Sequence, residues 1–174
     1  RSAGVRQGRV MTDDHEDHED HEDHEDHDGL DVVPGPKIAD RPVRTQADLE
    51  QLWRSLMEPL GFSGGALWVM AIGGDDLPTP VLMEIRDEGV DPTPEEALSF
   101  GAFLAHLSPD VPDGSRWAFL RCRPGRGGPR AADRALVAAL VGGCREAGVA
   151  TDVAHLATDD VLVPLPYDEL AASA

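Results

Sequence analysis

Cysteines and long apolar runs, which would point to secretion or a membrane, are both scarce in this chain of 174 residues. Its two cysteines, Cys122 and Cys144, are too few for the disulfide framework of a small secreted protein. No apolar run approaches the roughly 20 residues that span a bilayer. The amino terminus has arginines but no apolar segment typical of a signal peptide. We therefore expect a cytoplasmic protein with no membrane contact, whose natural start is Met11.

Lysine and asparagine are also nearly absent, and positive charge is outweighed by acid. The chain has a single lysine, Lys37, and no asparagine, which we interpret as coding bias of a GC-rich genome. The net charge is −18, and residues 13–28 alone hold 11 acids and no base. Residues 29–174 still carry 22 acids against 12 bases. This excess argues against duplex nucleic acid and membrane surfaces, since both attract positive charge.

The first 44 residues predict a tail and a linker. Residues 1–28 contain a repeated His-Glu-Asp tract with no apolar residue to bury, so we expect disorder there. Residues 29–44 hold three prolines and form a linker. Imidazoles and carboxylates of the tract could bind a transition metal through His15, His18, His21, His24 and His27. The favoured alternative is a solubilising tail, because a disordered chain must order itself to bind an ion.

Residues 45–174 predict one folded domain with alternating helices and strands. Helix starts are indicated by Thr45 with Asp48, by Thr93 with Glu96, and near Pro129; Leu60 continues the apolar spacing of the first helix. The expected strands are residues 66–72, 81–85, 117–122, 149–156 and 161–165. The order α-ββ-α-β-α-β-β predicts a single three-layer α/β/α domain with a mixed sheet.

The arginine loop, residues 121–130, is the most informative segment. It joins a strand to a helix, where open α/β folds place their sites. Guanidinium groups, glycine backbone and a helix start favour an anion, so we expect anion binding by Arg121, Arg123, Arg126, Gly127, Gly128, Arg130 and Asp133. We expect Arg123 to be exposed; the alternative is that Arg123 is a buried structural partner, in the first place of Asp133. The alternative is that these arginines pair with the surplus acids of the domain.

Residues 66–165 resemble the JAB/MPN metalloprotease-like domain, especially its bacterial RadC-type branch. The resemblance lies in the hairpin, the helix and the strand that enters Arg121-Cys122-Arg123-Pro124-Gly125, with Asp133 opening the next helix. It implies that Arg121 and Arg123 stand where the family has two zinc-binding histidines, and that Glu84 is loosely comparable with its catalytic glutamate. Because arginine has no lone pair to give to zinc, the resemblance implies a metal-free relative without a cofactor.

The remaining candidates give three functional hypotheses. Cys122 lies between two arginines, whose charge would lower the pKa of its thiol, although no general base is evident. His155 and Asp152 fall on opposite faces of a strand, so we expect a structural histidine. We favour a non-catalytic module that binds a protein or a small anion. The rivals are an enzyme that acts on an anionic substrate through the loop, and a metal-binding protein that uses the tail.

Overall fold

The computed structural model describes residues 41–87 and 92–166, all within one compact unit, Pro34–Ala174. The helices are α1 (Gln46–Met57), α2 (Pro94–Leu107) and α3 (Ala131–Glu146). The strands are β1 (Gly65–Ile72), β2 (Pro78–Asp87), β3 (Arg116–Cys122), β4 (Ala154–Ala157) and β5 (Leu162–Leu165). The predicted α/β class and element order are confirmed. The histidines of the tail lie outside the described residues.

The five strands form one mixed sheet in the order β2-β1-β3-β4-β5. β1 is antiparallel to both of its neighbours, β3 and β4 are parallel, and β5 returns antiparallel to β4. Helix α3 makes the crossover between the two parallel strands. The carboxyl ends of β3 and β4 therefore lie side by side, and the arginine loop leaves the sheet at this edge.

Both predicted capping boxes are present, because they depend only on neighbours in the chain. The Thr45 hydroxyl accepts a hydrogen bond from the Asp48 amide, and the Asp48 carboxylate accepts one from the Thr45 amide. Thr93 and Glu96 repeat this arrangement at the start of α2. The prediction that α1 continues to Leu60 is wrong. The helix ends at Met57 because a residue before proline, here Glu58, is disfavoured in the helical region.

Helices cover both faces of the sheet, which gives the expected three layers. One apolar core lies between the sheet and α2 with α3, and includes Phe119, Leu104 and Val137. The other lies between the sheet and α1, and includes Trp53 and Leu120. Alternate residues of β3 enter the two cores in turn, as the pleat of a strand requires. No helix in the described ranges combines the length and apolarity needed to cross a bilayer.

Two strands differ from the expected bounds by more than one residue. β4 begins at Ala154 rather than at residue 149, because the preceding segment makes only one bridge, between Thr151 and Trp117. β2 extends beyond the expected residues 81–85 at both ends.

The folded domain begins before Thr45. Val43, in the predicted linker, is buried and donates its amide to the Asp76 carbonyl.

Candidate functional site

The arginine loop lies at the carboxyl edge of the sheet, against the turn that joins β4 to β5. The Arg123 amide donates to the Ala157 carbonyl at 3.1 Å, which continues the ladder beyond β3. The Asp159 amide donates to the Gly125 carbonyl at 3.0 Å. Backbone hydrogen bonds at Arg123 and at Gly125 thus hold the loop to the end of β4 and the turn that follows it.

Two arginines and one aspartate of the loop region form a buried cluster under the start of α3. Arg121, Arg123 and Asp133 are 9%, 6% and 3% exposed. Arg123 Nε lies 3.0 Å from Asp133 Oδ2, and Arg121 Nε lies 3.9 Å from Asp133 Oδ1. Arg123 also donates Nη2 to the Gly128 carbonyl at 3.0 Å. The expectation that Arg123 is exposed is therefore wrong, because alternation along β3 continues past the strand and turns this side chain inward.

The peptide groups of the loop are also occupied by carboxylates of the same domain. The Gly125 amide donates to Asp159 Oδ2 at 2.7 Å, and the Gly127 amide donates to Asp160 Oδ1 at 2.9 Å. Hydrogen bonds from two backbone amides lower the pKa of Asp159, the one from Phe62 more than the one from Gly125. The Gly127 amide is the largest cause of the lowered pKa of Asp160. Both carboxylates therefore remain ionised over a wider pH range and hold the loop.

Sequence reasoning missed these two acids as part of the site. It treated Asp159 and Asp160 only as a turn, since each lies more than 30 residues from its loop partner. One signal in the sequence was available. A strand, a helix and a strand in succession predict two parallel strands, so an acid pair just after the second strand is expected at the same edge as the loop after the first, as the structure shows.

The outer part of the arginine loop is exposed. Arg126, Gly127, Gly128 and Arg130 all face solvent, and Gly127 adopts a φ of 90° that favours glycine. Arg130 is the residue before α3, and its side chain makes no capping hydrogen bond. The Asp133 carboxylate accepts the Arg130 amide at 2.8 Å, so the same group fixes the helix start and the buried arginines. The predicted anion-binding set thus consists of three buried residues and four exposed ones.

Cys122 is not activated by its arginine neighbours. Its side chain points into the core under α1, whereas Arg121 and Arg123 belong to the opposite face of β3. Burial raises the pKa of the Cys122 thiol to about 12, and the opposing charge of Arg121 is the smaller effect. The expectation of a lowered thiol pKa is wrong. At neutral pH the thiol is protonated, the form that is a poor nucleophile.

The other titratable candidates do not join the loop. His155 is completely buried in β4, donates Nδ1–H to the Val153 carbonyl at 3.0 Å, and has its pKa lowered to about 4 by burial. Asp152 instead pairs with Arg116 at 2.8 Å. Glu84 is exposed on β2. Within residues 41–87 and 92–166 no group of three or more His, Cys, Asp or Glu side chains could hold a metal ion.

Comparison with known proteins does not assign the chain to a family. No protein-family model matches the chain, and neither the curated proteins nor the solved structures include a match. The contacts described above therefore carry the functional argument.

Proposed function

We propose that this domain is a non-catalytic binding module, and that Arg126 and Arg130 receive an acidic group of its ligand. The observation that carries the proposal is the division of the arginine loop into a fixed base and an exposed tip. The base is the buried cluster of Arg121, Arg123 and Asp133, and the tip is the exposed segment from Arg126 to Arg130. Asp159 and Asp160 hold the backbone of the loop at Gly125 and Gly127. A ligand would meet cationic side chains on a turn whose backbone is already ordered, so less conformational entropy is lost on binding.

The burial and the pKa values of the candidate nucleophile and base support binding rather than catalysis. Nucleophilic catalysis by a cysteine needs an accessible thiolate, and catalysis by a serine or threonine needs a hydroxyl next to a base. Cys122 is buried with a raised pKa, and His155 is buried with a lowered one. Asp133 is engaged by Arg123. Among these groups, an anion would therefore find two exposed arginines, Arg126 and Arg130, but no activated nucleophile.

The proposal extends to a metal-free relative of the JAB/MPN domain. Arg121 and Arg123 stand at the end of β3 with Asp133 beside them, the place where the resemblance puts the zinc ligands of that family. In this chain, an arginine–aspartate ion pair would take the structural place of the metal. Metal binding by the histidine tract remains a separate hypothesis, because those residues lie outside the described ranges.

Phosphate titration of the intact chain at low ionic strength tests the anion site. We expect phosphate to raise the melting temperature, because a ligand that binds only the folded state stabilises it by mass action. The double variant Arg126→Ala/Arg130→Ala should lose this increase. Its melting temperature without phosphate should stay close to that of the unmodified chain, since exposed charges contribute little to folding.

Arg44→Ala provides the matched control. Arg44 is an exposed arginine near the amino end of β3, with a side chain 70% exposed and 3.5 Å from Asp76. This variant should retain the whole phosphate effect. An equal loss in the control, or no phosphate effect in the unmodified chain, would contradict anion binding at the loop tip.

A further inference from the structure

Strand β2 forms an outer edge of the sheet that carries exposed apolar side chains. No strand in the described residues pairs with its outer side. Leu82 and Ile85 are each 39% exposed. Pro78 and Pro80 protect the first part of the edge, because proline cannot donate to a further strand. The second part, residues 81–87, has no such protection and can accept another strand.

The charges on this part of the edge are self-complementary. Cross-strand pairing places Trp68 beside Glu84 and Ala66 beside Arg86, so Glu84 and Arg86 point to the α1 face of the sheet. Both side chains are exposed. Ile85 points to the other face, where Val81 and Met83 pack against the core.

We propose that the outer edge of β2 pairs with β2 of a second copy of this chain, antiparallel about a twofold axis at Ile85. In this register, Glu84 lies opposite Arg86 of the second copy, and the symmetry repeats the ion pair. Ile85 lies opposite itself and forms an apolar contact on the other face. An axis at Glu84 or at Arg86 would instead oppose like charges, which destabilises a strand pair. The charge pattern therefore selects one register.

Helix α2 adds an apolar surface on the same face of the sheet as Ile85. Gly101 packs against α3, and Phe103 lies about 200° further around the helix, so its side chain leaves α2 on the flank away from α3. Because α3 joins β3 to β4, that flank faces the β2 edge. Phe103 is 45% exposed. Pairing of two copies at β2 would bring two such flanks together over the Ile85 contact.

A charge exchange tests the register in the intact chain. Sedimentation velocity over a range of concentrations should show a monomer–dimer equilibrium for the unmodified protein. Glu84→Arg opposes two arginines at each site, and Arg86→Glu opposes two glutamates, so each single variant should be monomeric. The double variant Glu84→Arg/Arg86→Glu restores opposite charges and should recover the dimer. Recovery by two changes that are each disruptive cannot result from misfolding of the single variants.

Leu98→Arg is the control for surface charge. Leu98 is 51% exposed on α2 and lines a shallow groove with α3 rather than the β2 edge. This variant should dimerise as the unmodified chain does. A monomeric unmodified chain at every concentration, dimeric single variants, or a monomeric double variant would overturn the proposal. Because the arginine loop lies outside this surface, the result is independent of the phosphate titration.

Discussion

Gly101 on α2 and Gly143 on α3 contact each other through their backbones, so the two helices cross without side chains between them. A Cβ atom on Gly101 would overlap the Gly143 carbonyl oxygen, and one on Gly143 would overlap the Ala97 carbonyl oxygen. This close approach sets the distance between α2 and α3, and α3 carries Asp133 of the buried cluster in its first turn.

Gly143→Ala should destabilise the domain, whereas Gly142→Ala should not. The added methyl of the first variant meets backbone, which cannot move as a side chain can, and overpacking typically costs about 1 to 3 kcal/mol. At Gly142 nothing lies within 4 Å of an added Cβ, so the higher helix propensity of alanine should stabilise by up to about 1 kcal/mol. Urea unfolding of both variants measures the difference. Equal stability would contradict the close crossing.

The sequence predicts the local features of this fold, such as the helix caps. It does not predict which side chains of the arginine loop are buried and which are exposed. The caps at Thr45 and Thr93 were predictable because each partner lies three residues away. Arg123 looked like a surface residue because arginine is rarely buried without a partner. Its burial depends on Asp133, and the spacing of the two residues in the chain allows this buried pair without deciding between it and an exposed arginine. Asp159 depends on the sheet order, which no local pattern encodes.

Arg123→Ala should be much more destabilising than Arg126→Ala. Removing Arg123 leaves the carboxylate of Asp133 buried without its 3.0 Å partner, and breaking a buried ion pair typically costs about 3 to 5 kcal/mol. Arg126 is on the same loop but exposed, so its removal should change the free energy of unfolding by less than about 1 kcal/mol. Chemical denaturation of the two variants checks this. Similar small effects would mean that Arg123 is solvated.

The buried imidazole of His155 should make the domain less stable in acid. Its pKa is lowered to about 4 in the folded state, against an ordinary value of 6.5. Between these values the unfolded chain takes up a proton that the folded chain does not. The free energy of unfolding should therefore fall as pH falls, by up to about 1.4 kcal/mol per pH unit, and this contribution should level off below about pH 4.

His155→Gln isolates that contribution. Asp48, Glu96, Asp159 and Asp160 also have lowered pKa values and lose stabilising interactions in acid, but they do so in both proteins. The difference in unfolding free energy between the variant and the unmodified chain should thus depend on pH mainly through His155. A pH-independent difference between pH 4 and 6.5 would show that the histidine is protonated when folded.

Both thiols should be unreactive until the domain unfolds, which separates a binding module from an enzyme that uses Cys122. Both cysteines are fully buried, and burial raises the pKa values to about 12 for Cys122 and about 11 for Cys144. Since the thiolate is the reactive form, labelling with an aromatic disulfide reagent should be slow in the native state, and both thiols should react in denaturant. The Cys144→Ala variant assigns the signal to Cys122. Rapid labelling of this variant under native conditions would show an accessible thiolate at Cys122 and revive the catalytic hypothesis.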